Sequence, residues 1–151
     1  MKKKYYNSLR ILLADDDEDD RNMLRKAIEN VRVDCSLHNV DNGEKLMDYL
    51  SQCNGNAPNL IFLDLNMPKK NGIECLMEIR NNQKFNDTAI AIYSTSQAKN
   101  DINTAFLAGA NIYITKPDNF ETLQKIVADT LSINWQYQTT GLRMENFVMV
   151  R

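Results

Sequence analysis

Residues 60–68 read LIFLDLNMP, and their pattern indicates the class of fold. Its first four residues are a continuous apolar run, which is typical of a strand buried on both faces of a parallel sheet. Asp64 directly follows the run. Ligands of open α/β sheets bind beyond the carboxyl ends of the strands, so a carboxylate at this point predicts a site at that edge.

Four further strand patterns alternate with amphipathic helical patterns on either side of this stretch. The strand patterns span residues 10–14, 35–40, 89–93 and 111–115. Apolar residues at helical spacing follow each strand, as in residues 23–31 after the first one. Five strands that each precede a helix predict an α/β fold with a parallel sheet and right-handed crossovers.

Several helix starts are predicted from charge and capping. The acids at 18–20 fall in the first turn of the first helix, where negative charge is favourable. Ser96 is the predicted N-cap of the fourth helix. Asp118, with Glu121 three residues on, is the predicted capping box of the fifth helix.

The composition excludes several classes of protein. The chain has 151 residues, which fits one domain, and its net charge of −2 argues against a nucleic-acid-binding surface. Three widely spaced cysteines and one histidine argue against a zinc site or a disulfide framework, and favour a reducing, cytoplasmic compartment. We expect no membrane-spanning segment, because no apolar stretch approaches roughly 18 residues.

Chemically active side chains follow four of the five strands. Asp15 and Asp16 follow the first, Asp64 the third, Ser94 the fourth and Lys116 the fifth. If the first and third strands are neighbours, about 4.8 Å apart, their carboxylates converge in one pocket. Mutual repulsion would then favour a hard divalent cation among them, and Mg²⁺ accepts such ligands. A lysine facing the acids would balance the remaining charge.

A carboxylate in such a pocket can attack phosphorus and form an aspartyl phosphate. Phosphoryl transfer depends mainly on positioning and charge neutralisation, which Mg²⁺, Lys116 and the Ser94 hydroxyl would supply. Pro117 permits a cis peptide bond that could aim Lys116 inward, so it is a cis-peptide candidate. Each residue alone also has an ordinary explanation as a helix cap, a turn residue or a solvated charge.

Taken together, these residues resemble the receiver domain of two-component response regulators. The segments that carry the resemblance are LADD (13–16), LDLNMP (63–68), NG (71–72), ST (94–95) and ITKP (114–117). The resemblance covers residues 8–133, and looks closest to the stand-alone branch that includes phytochrome response regulators. It implies a flavodoxin-like (βα)5 doubly wound parallel sheet with strand order 2-1-3-4-5 and a short C-terminal extension.

The resemblance also implies which residues hold the metal and the phosphoryl group. Asp64 would be the phosphoacceptor and a ligand of Mg²⁺. Asp16 would bind the ion directly, Asp15 would bind it through water, and the backbone carbonyl of Asn66 would be a further ligand. The protein would catalyse only its own phosphoryl uptake and autodephosphorylation, so it would not be an enzyme with a separate substrate.

The resemblance implies a switch as well. Ser94 and Tyr113 would be the switch residues, and Lys116 and Thr95 would contact the phosphoryl group. We hypothesise that phosphorylation draws Ser94 toward Asp64 and lets Tyr113 swing inward, as a shift between two existing conformations.

The expected domain organisation is a receiver domain at 8–134 and an extension at 135–151 without an output domain. Signalling would then proceed by docking to a partner protein or by phosphorelay. The upstream partner would be a sensor histidine kinase or a phosphotransfer protein, with neither nucleic acid nor a membrane involved. Apolar residues of the extension, such as Trp135, could pack on the domain or form a homodimer contact.

Three other interpretations stay open. A receiver-fold interaction module that is not regulated by phosphorylation could carry the same residues. A flavodoxin-like electron carrier shares the strand order, but the acids at 15–18 would repel the phosphate of FMN. A phosphatase with an aspartate nucleophile would want a second acid two residues after Asp64, where Asn66 stands.

Overall fold

The structure, a computed structural model, describes residues 8–132 and 148–149. Strands and helices alternate along the chain around one central sheet. The strands are β1 (Leu9–Ala14), β2 (Cys35–Val40), β3 (Leu60–Leu63), β4 (Ala89–Ser94), β5 (Ile112–Thr115) and β6 (Val148–Met149). The helices are α1 (Glu18–Asn30), α2 (Gly43–Ser51), α3 (Gly72–Arg80), α4 (Lys99–Ala108) and α5 (Phe120–Ser132), with a 3₁₀ turn at Gln83–Phe85.

The sheet is parallel throughout and has the strand order β2-β1-β3-β4-β5-β6. The predicted α/β fold and its order 2-1-3-4-5 are therefore confirmed. The chain runs outward from β1 to β2 and then returns to the other side of β1 as β3. Ala14 pairs with Leu63, so the residues that follow β1 and β3 lie side by side at the point where the strand order reverses.

Strand β6 was not predicted. It pairs in parallel with β5, with Val148 beside Tyr113 and Met149 beside Ile114. Two residues are too few to produce a periodic pattern, so no strand could be predicted in the extension. The other expectations for the extension, including packing of Trp135 and a homodimer contact, lie outside the described residues.

Helices cover both faces of the sheet, and each face has its own apolar core. Alternate residues of β1 point to opposite sides: Ile11 and Leu13 pack with α1 and α5, whereas Leu12 and Ala14 pack with α2, α3 and α4. All four residues of β3 are buried, which accounts for the continuous apolar run at 60–63. Within residues 8–132 and 148–149, no helix has the length and apolar character needed to cross a membrane.

Two helices begin with different caps from those predicted. Helix α5 begins at Phe120, so the preceding residue is Asn119, whose Oδ1 accepts a hydrogen bond from the Thr122 N–H at 2.8 Å. The prediction of Asp118 as the cap is therefore wrong by one residue. Element boundaries commonly differ from sequence expectations by this much.

The prediction that Ser96 caps α4 is also wrong. Helix α4 begins at Lys99, and Ala98 in the N-cap position offers no side-chain hydrogen bond. Ser96 instead donates through Oγ to Asp101 Oδ2 at 2.5 Å and accepts from the Ala98 N–H at 3.2 Å. It thus organises the loop ahead of the helix.

Candidate functional site

The two acids that follow β1 and β3 lie next to each other at the carboxyl edge of the sheet. The Asp64 N–H donates to the Ala14 carbonyl at 2.9 Å, which extends the β1–β3 pairing by one residue. Asp15 and Asp64 are buried, with 3% and 6% of their surface exposed, while Asp16 is exposed. One carboxylate oxygen from each of the three residues lies within 4.8 Å of the others. The predicted acidic pocket is present.

Backbone amides orient the buried carboxylates. Asp15 Oδ1 accepts a hydrogen bond from the Asp17 N–H at 3.0 Å, and Asp64 Oδ1 accepts one from the Asn66 N–H at 3.2 Å. In both cases the donor lies two residues ahead, in the loop that leaves the strand. The Oδ2 atoms of both acids face the lysine that follows β5.

Lys116 reaches into the acids from the end of β5. Its Nζ lies 2.8 Å from Asp15 Oδ2, 2.7 Å from Asp20 Oδ2 and 3.3 Å from Asp64 Oδ2. Only 9% of its side chain is exposed. The Tyr93 ring lies beneath the ammonium, with 5.2 Å between Nζ and the ring centroid. Lys116 therefore faces the acids, as expected from its place after β5.

The expectation of a cis bond at Pro117 is wrong, since the described residues contain no cis peptide. The Lys116 N–H donates to the Ser94 carbonyl at 2.8 Å, so the chain continues in extended form beside β4. From that position the long lysine side chain reaches the acids with a trans bond at Pro117.

The pocket carries more negative than positive charge. Burial raises the pKa of Asp64 to about 6, and the charge of Asp15 adds to that rise, whereas Lys116 and the Asn66 N–H oppose it. Burial lowers the pKa of Lys116, but its contacts with Asp15, Asp20 and Asp64 outweigh burial and raise the pKa above its usual value. A further cation would relieve the remaining repulsion between the acids.

The hydroxyl groups after β4 have different environments. Ser94 is fully buried, and its Oγ accepts a hydrogen bond from the Ser96 N–H at 3.1 Å. Thr95 is exposed. Tyr113 is also fully buried and donates its hydroxyl to the Ser96 carbonyl at 2.8 Å. Burial raises the pKa of Tyr113, and hydrogen bonds with Ser94 and Ser96 oppose the rise.

The position of Tyr113 bears on the switch hypothesis. Tyr113 was expected to swing inward on phosphorylation, yet its ring already lies inside the domain, next to the loop that carries Ser96. The coupling of Ser94 and Tyr113 to phosphorylation stays a prediction.

A tight turn holds Asp64 against α3. A Cβ atom added to Gly72 would lie 2.2 Å from the Asp64 carbonyl oxygen, so only glycine lets α3 begin so close to the end of β3. The Gly72 N–H donates to the Leu65 carbonyl at 2.9 Å. Asn71 and Glu74 form a reciprocal capping box at the start of α3.

Sequence reasoning missed Asp20, which makes the shortest contact with Lys116. Its place in the first turn of α1 had been explained by the helix dipole alone. The available signal was its position: Asp17 is the N-cap, and side chains on a helix lean toward the helix N-terminus. A residue three positions after the cap therefore leans toward the strand ends.

The chain forms a doubly wound parallel sheet with an acidic pocket at the point where the strand order reverses, and a lysine reaches into that pocket. These features together define the receiver domain class. The family described as the response regulator receiver domain matches residues 11–128. The protein is thus a member of the response regulator receiver domain family, as the sequence resemblance implied.

Relatives and solved structures agree with this assignment. Response regulator Rcp1 from Synechocystis sp. is 33% identical over 121 residues, covering 78% of this chain and 82% of Rcp1. A CheY homolog of Campylobacter jejuni, a chemotaxis protein, is 28% identical, covering 82% of this chain and 92% of that protein. The crystal structure of the phosphorylated cyanobacterial phytochrome response regulator RcpA has a TM-score of 0.75 at 33% identity, and covers 82% of this chain and 91% of RcpA. The Mn²⁺-bound form of Rcp1 also has a TM-score of 0.75, at 31% identity, with coverage of 83% and 93%.

Proposed function

We propose that this protein is a response regulator that accepts a phosphoryl group on Asp64 from a sensor histidine kinase or a phosphotransfer protein. The observation that carries the proposal is the environment of Asp64: a buried carboxylate beside Asp15, with the Lys116 ammonium 3.3 Å from its Oδ2. Similarity to the phosphorylated RcpA structure supports the same reaction.

In the proposed reaction a carboxylate oxygen of Asp64 forms a bond to phosphorus. The bond between phosphorus and the imidazole nitrogen of the donor histidine breaks, and that nitrogen keeps the electron pair and takes up a proton. Lys116 neutralises charge on the transferred group, since it already faces the acceptor carboxylate. Ser94 would donate its hydroxyl to a phosphoryl oxygen, and Thr95 is the neighbouring candidate for a contact.

The donor set fits Mg²⁺. Asp15, Asp16 and Asp64 place carboxylate oxygens within 4.8 Å of one another, and the burial of Asp64 beside Asp15 creates a repulsion that a divalent cation relieves. These three residues and the Asn66 carbonyl would hold the ion, with Asp15 acting through water. When bound, Mg²⁺ would neutralise negative charge on the phosphoryl oxygens. The Mn²⁺-bound form of the similar Rcp1 supports this choice.

We assign residues 8–134 to the receiver domain and 135–151 to an extension. Signalling would proceed by docking of a protein target or by phosphorelay, with Ser94 and Tyr113 as the switch residues. The structure describes Cys35, Cys53 and Cys75 as free thiols, in keeping with the proposed reducing, cytoplasmic compartment.

The test is phosphorylation with a small donor. The wild-type protein is incubated with acetyl phosphate and Mg²⁺, and its intact mass is followed with time. We expect the mass to rise by one phosphoryl group and the rise to disappear when EDTA replaces Mg²⁺. Asp64→Asn should show no rise, because the nucleophilic carboxylate is replaced by a neutral amide.

Asp118→Asn is the matched control, since Asp118 is an exposed acid near Lys116. It should take up the phosphoryl group like the wild type. Uptake by Asp64→Asn would show that another residue is the acceptor. A wild-type protein that gains no mass under these conditions would support the alternative of a receiver-fold interaction module that phosphorylation does not regulate.

A further inference from the structure

The Lys116 ammonium is shared among three carboxylates, and one of them belongs to neither the predicted metal ligands nor the predicted acceptor. Asp20 Oδ2 lies 2.7 Å from Nζ, while Asp64 Oδ2 lies 3.3 Å away. We propose that Asp20 is a positioning residue that draws Lys116 away from Asp64 and so slows phosphoryl uptake. This inference rests on the proposed function of Asp64.

The local structure fixes both members of the pair. Asp17 caps α1 and accepts hydrogen bonds from the Asp19 N–H at 2.9 Å and the Asp20 N–H at 3.3 Å, which fixes the backbone of Asp20. Lys116 is fixed at its own backbone by its bond to the Ser94 carbonyl at 2.8 Å. The pair therefore does not depend on two freely moving surface side chains.

The surroundings make this contact stronger than an ordinary surface ion pair. The Lys116 side chain is 9% exposed and that of Asp20 is 31% exposed. Pairs between fully exposed side chains contribute little, because water and salt screen them. Here protein covers most of the ammonium, so water screens the contact less than it screens an exposed pair, while the Asp20 carboxylate is open enough for added salt to screen its field.

Two electrostatic effects of Asp20 act in the same direction. Its carboxylate competes with Asp64 for the ammonium, which reduces the positive charge available to an incoming phosphoryl group. Its own negative charge, bridged to Asp64 by one ammonium, also repels that group. Removal of this charge should therefore accelerate uptake, while Asp15, 2.8 Å from Nζ, keeps Lys116 in the pocket.

The test compares Asp20→Asn with Asp19→Asn and Asp20→Glu. Asp19 is the matched control, because it is an exposed acid in the same turn, one residue earlier. The rate of mass gain is measured against acetyl phosphate concentration at saturating Mg²⁺ and low ionic strength. We expect the second-order rate constant to rise about three- to tenfold for Asp20→Asn, and to change little for Asp19→Asn. Asp20→Glu, which keeps the charge, should stay within about twofold of the wild type.

Ionic strength separates this role from a merely structural one. The gain of Asp20→Asn over the wild type should shrink as salt is added, since salt screens the field of the carboxylate but not a change in packing. Asp20→Ala gives a second measure of the same effect, and thermal unfolding of each variant establishes that it is folded.

The outcomes separate the two proposals. If the wild type takes up a phosphoryl group but Asp20→Asn is no faster than Asp19→Asn, or is slower than the wild type, the role of Asp20 is wrong and that of Asp64 stands. A gain that does not depend on salt also overturns it. If the wild type takes up no phosphoryl group, or if Asp64→Asn does, the proposed function fails and this inference fails with it.

Discussion

Two largely covered cations, Lys116 and Arg80, lie at opposite edges of the sheet. Lys116 follows the carboxyl end of β5 and is surrounded by carboxylates. Arg80, the last residue of α3, lies near the amino ends of β4 and β5. It donates to the carbonyls of Gly109 at 2.8 Å and Phe85 at 3.1 Å, and to Asn111 Oδ1 at 2.8 Å. Lys116 thus faces charged carboxylates, whereas these three acceptors of Arg80 are neutral dipoles.

The difference separates a reactive site from a structural one. Carbonyl and amide oxygens satisfy Arg80 without adding charge, and its guanidinium joins α3, the 3₁₀ turn and the loop before β5. Gly109 takes part in this fit, because a Cβ atom there would lie 2.7 Å from Arg80 Cγ. At the other edge the carboxylates outnumber the ammonium, and the surplus charge can be relieved only by a proton or another cation. A cation among surplus acids is ready to exchange partners, while a cation held by dipoles is fixed.

The largest expected effect is the loss of stability in Arg80→Ala. Three hydrogen bonds are lost, and each lost hydrogen bond in a partly buried place costs about 1 kcal/mol, so the free energy of unfolding should fall by about 3 kcal/mol. Urea unfolding followed by circular dichroism measures this. Arg25→Ala is the control, because Arg25 bonds to Asn22 in an exposed pair and should change stability by less than about 0.5 kcal/mol. Equal losses in the two variants would contradict the structural role of Arg80.

The next largest effect is a dependence of stability on pH that arises from Asp64 in the acidic pocket. The pKa of Asp64 is raised to about 6 from an ordinary value near 3.8, so the folded state binds more protons than the unfolded state between these values. This group's contribution to stability is therefore greatest below pH 3.8 and is lost as the pH rises through 6. From pH 5 to pH 7, without Mg²⁺, it should lower the free energy of unfolding by about 1 kcal/mol.

Asp64→Asn tests the source of that slope. The variant should lack this part of the pH dependence and should be about 1–2 kcal/mol more stable than the wild type at pH 7 without Mg²⁺, because the amide carries no charge to repel Asp15. Asp118→Asn, at an exposed acid, should keep the wild-type slope. An unchanged slope in Asp64→Asn would mean that another group titrates.

Sequence patterns predict the acidic pocket far better than they predict the hydrogen bonds of Arg80. Asp15 and Asp64 could be brought together in advance because parallel strands that end in register bring their next residues side by side. No sequence pattern predicts the hydrogen bonds of Arg80, since two of its acceptors are backbone carbonyls, which every residue has. The partner of a long side chain is likewise absent from any periodic pattern, which is why Asp20 was explained by the helix dipole alone.

Sequence patterns also specify poorly where individual strands and helices begin and end. Apolar runs marked four strands and an alternating pattern marked the second, each over four to six residues, but the two residues of β6 carry no comparable pattern. Asp118 and Asn119 are adjacent, and both are good N-cap residues, so the sequence could not decide between them. Hydrogen-bond geometry made the choice, with Asn119 Oδ1 facing the Thr122 N–H.

The smallest expected effect tests whether the two edges act independently. Mg²⁺ that binds the folded state alone should raise the free energy of unfolding by about 0.8 kcal/mol at a concentration about three times its dissociation constant. The measurement is urea unfolding in MgCl₂ against NaCl of equal ionic strength. Asp16→Asn should reduce the increment, because it removes an exposed carboxylate of the pocket.

Arg80→Ala should keep the full Mg²⁺ increment even though it is the least stable of these variants. Its acceptors lie around the amino ends of β4 and β5, whereas the carboxylates lie beyond the carboxyl ends of β1 and β3, so the two sets share no partner. Effects at sites that share no partner add within about 0.5 kcal/mol. The double variant of Asp16→Asn and Arg80→Ala should therefore lose the sum of the two single losses in MgCl₂. A larger departure from additivity would mean that the hydrogen bonds of Arg80 and the acidic pocket are coupled through the sheet. The fixed cation and the exchangeable cation would then not belong to independent parts of the molecule.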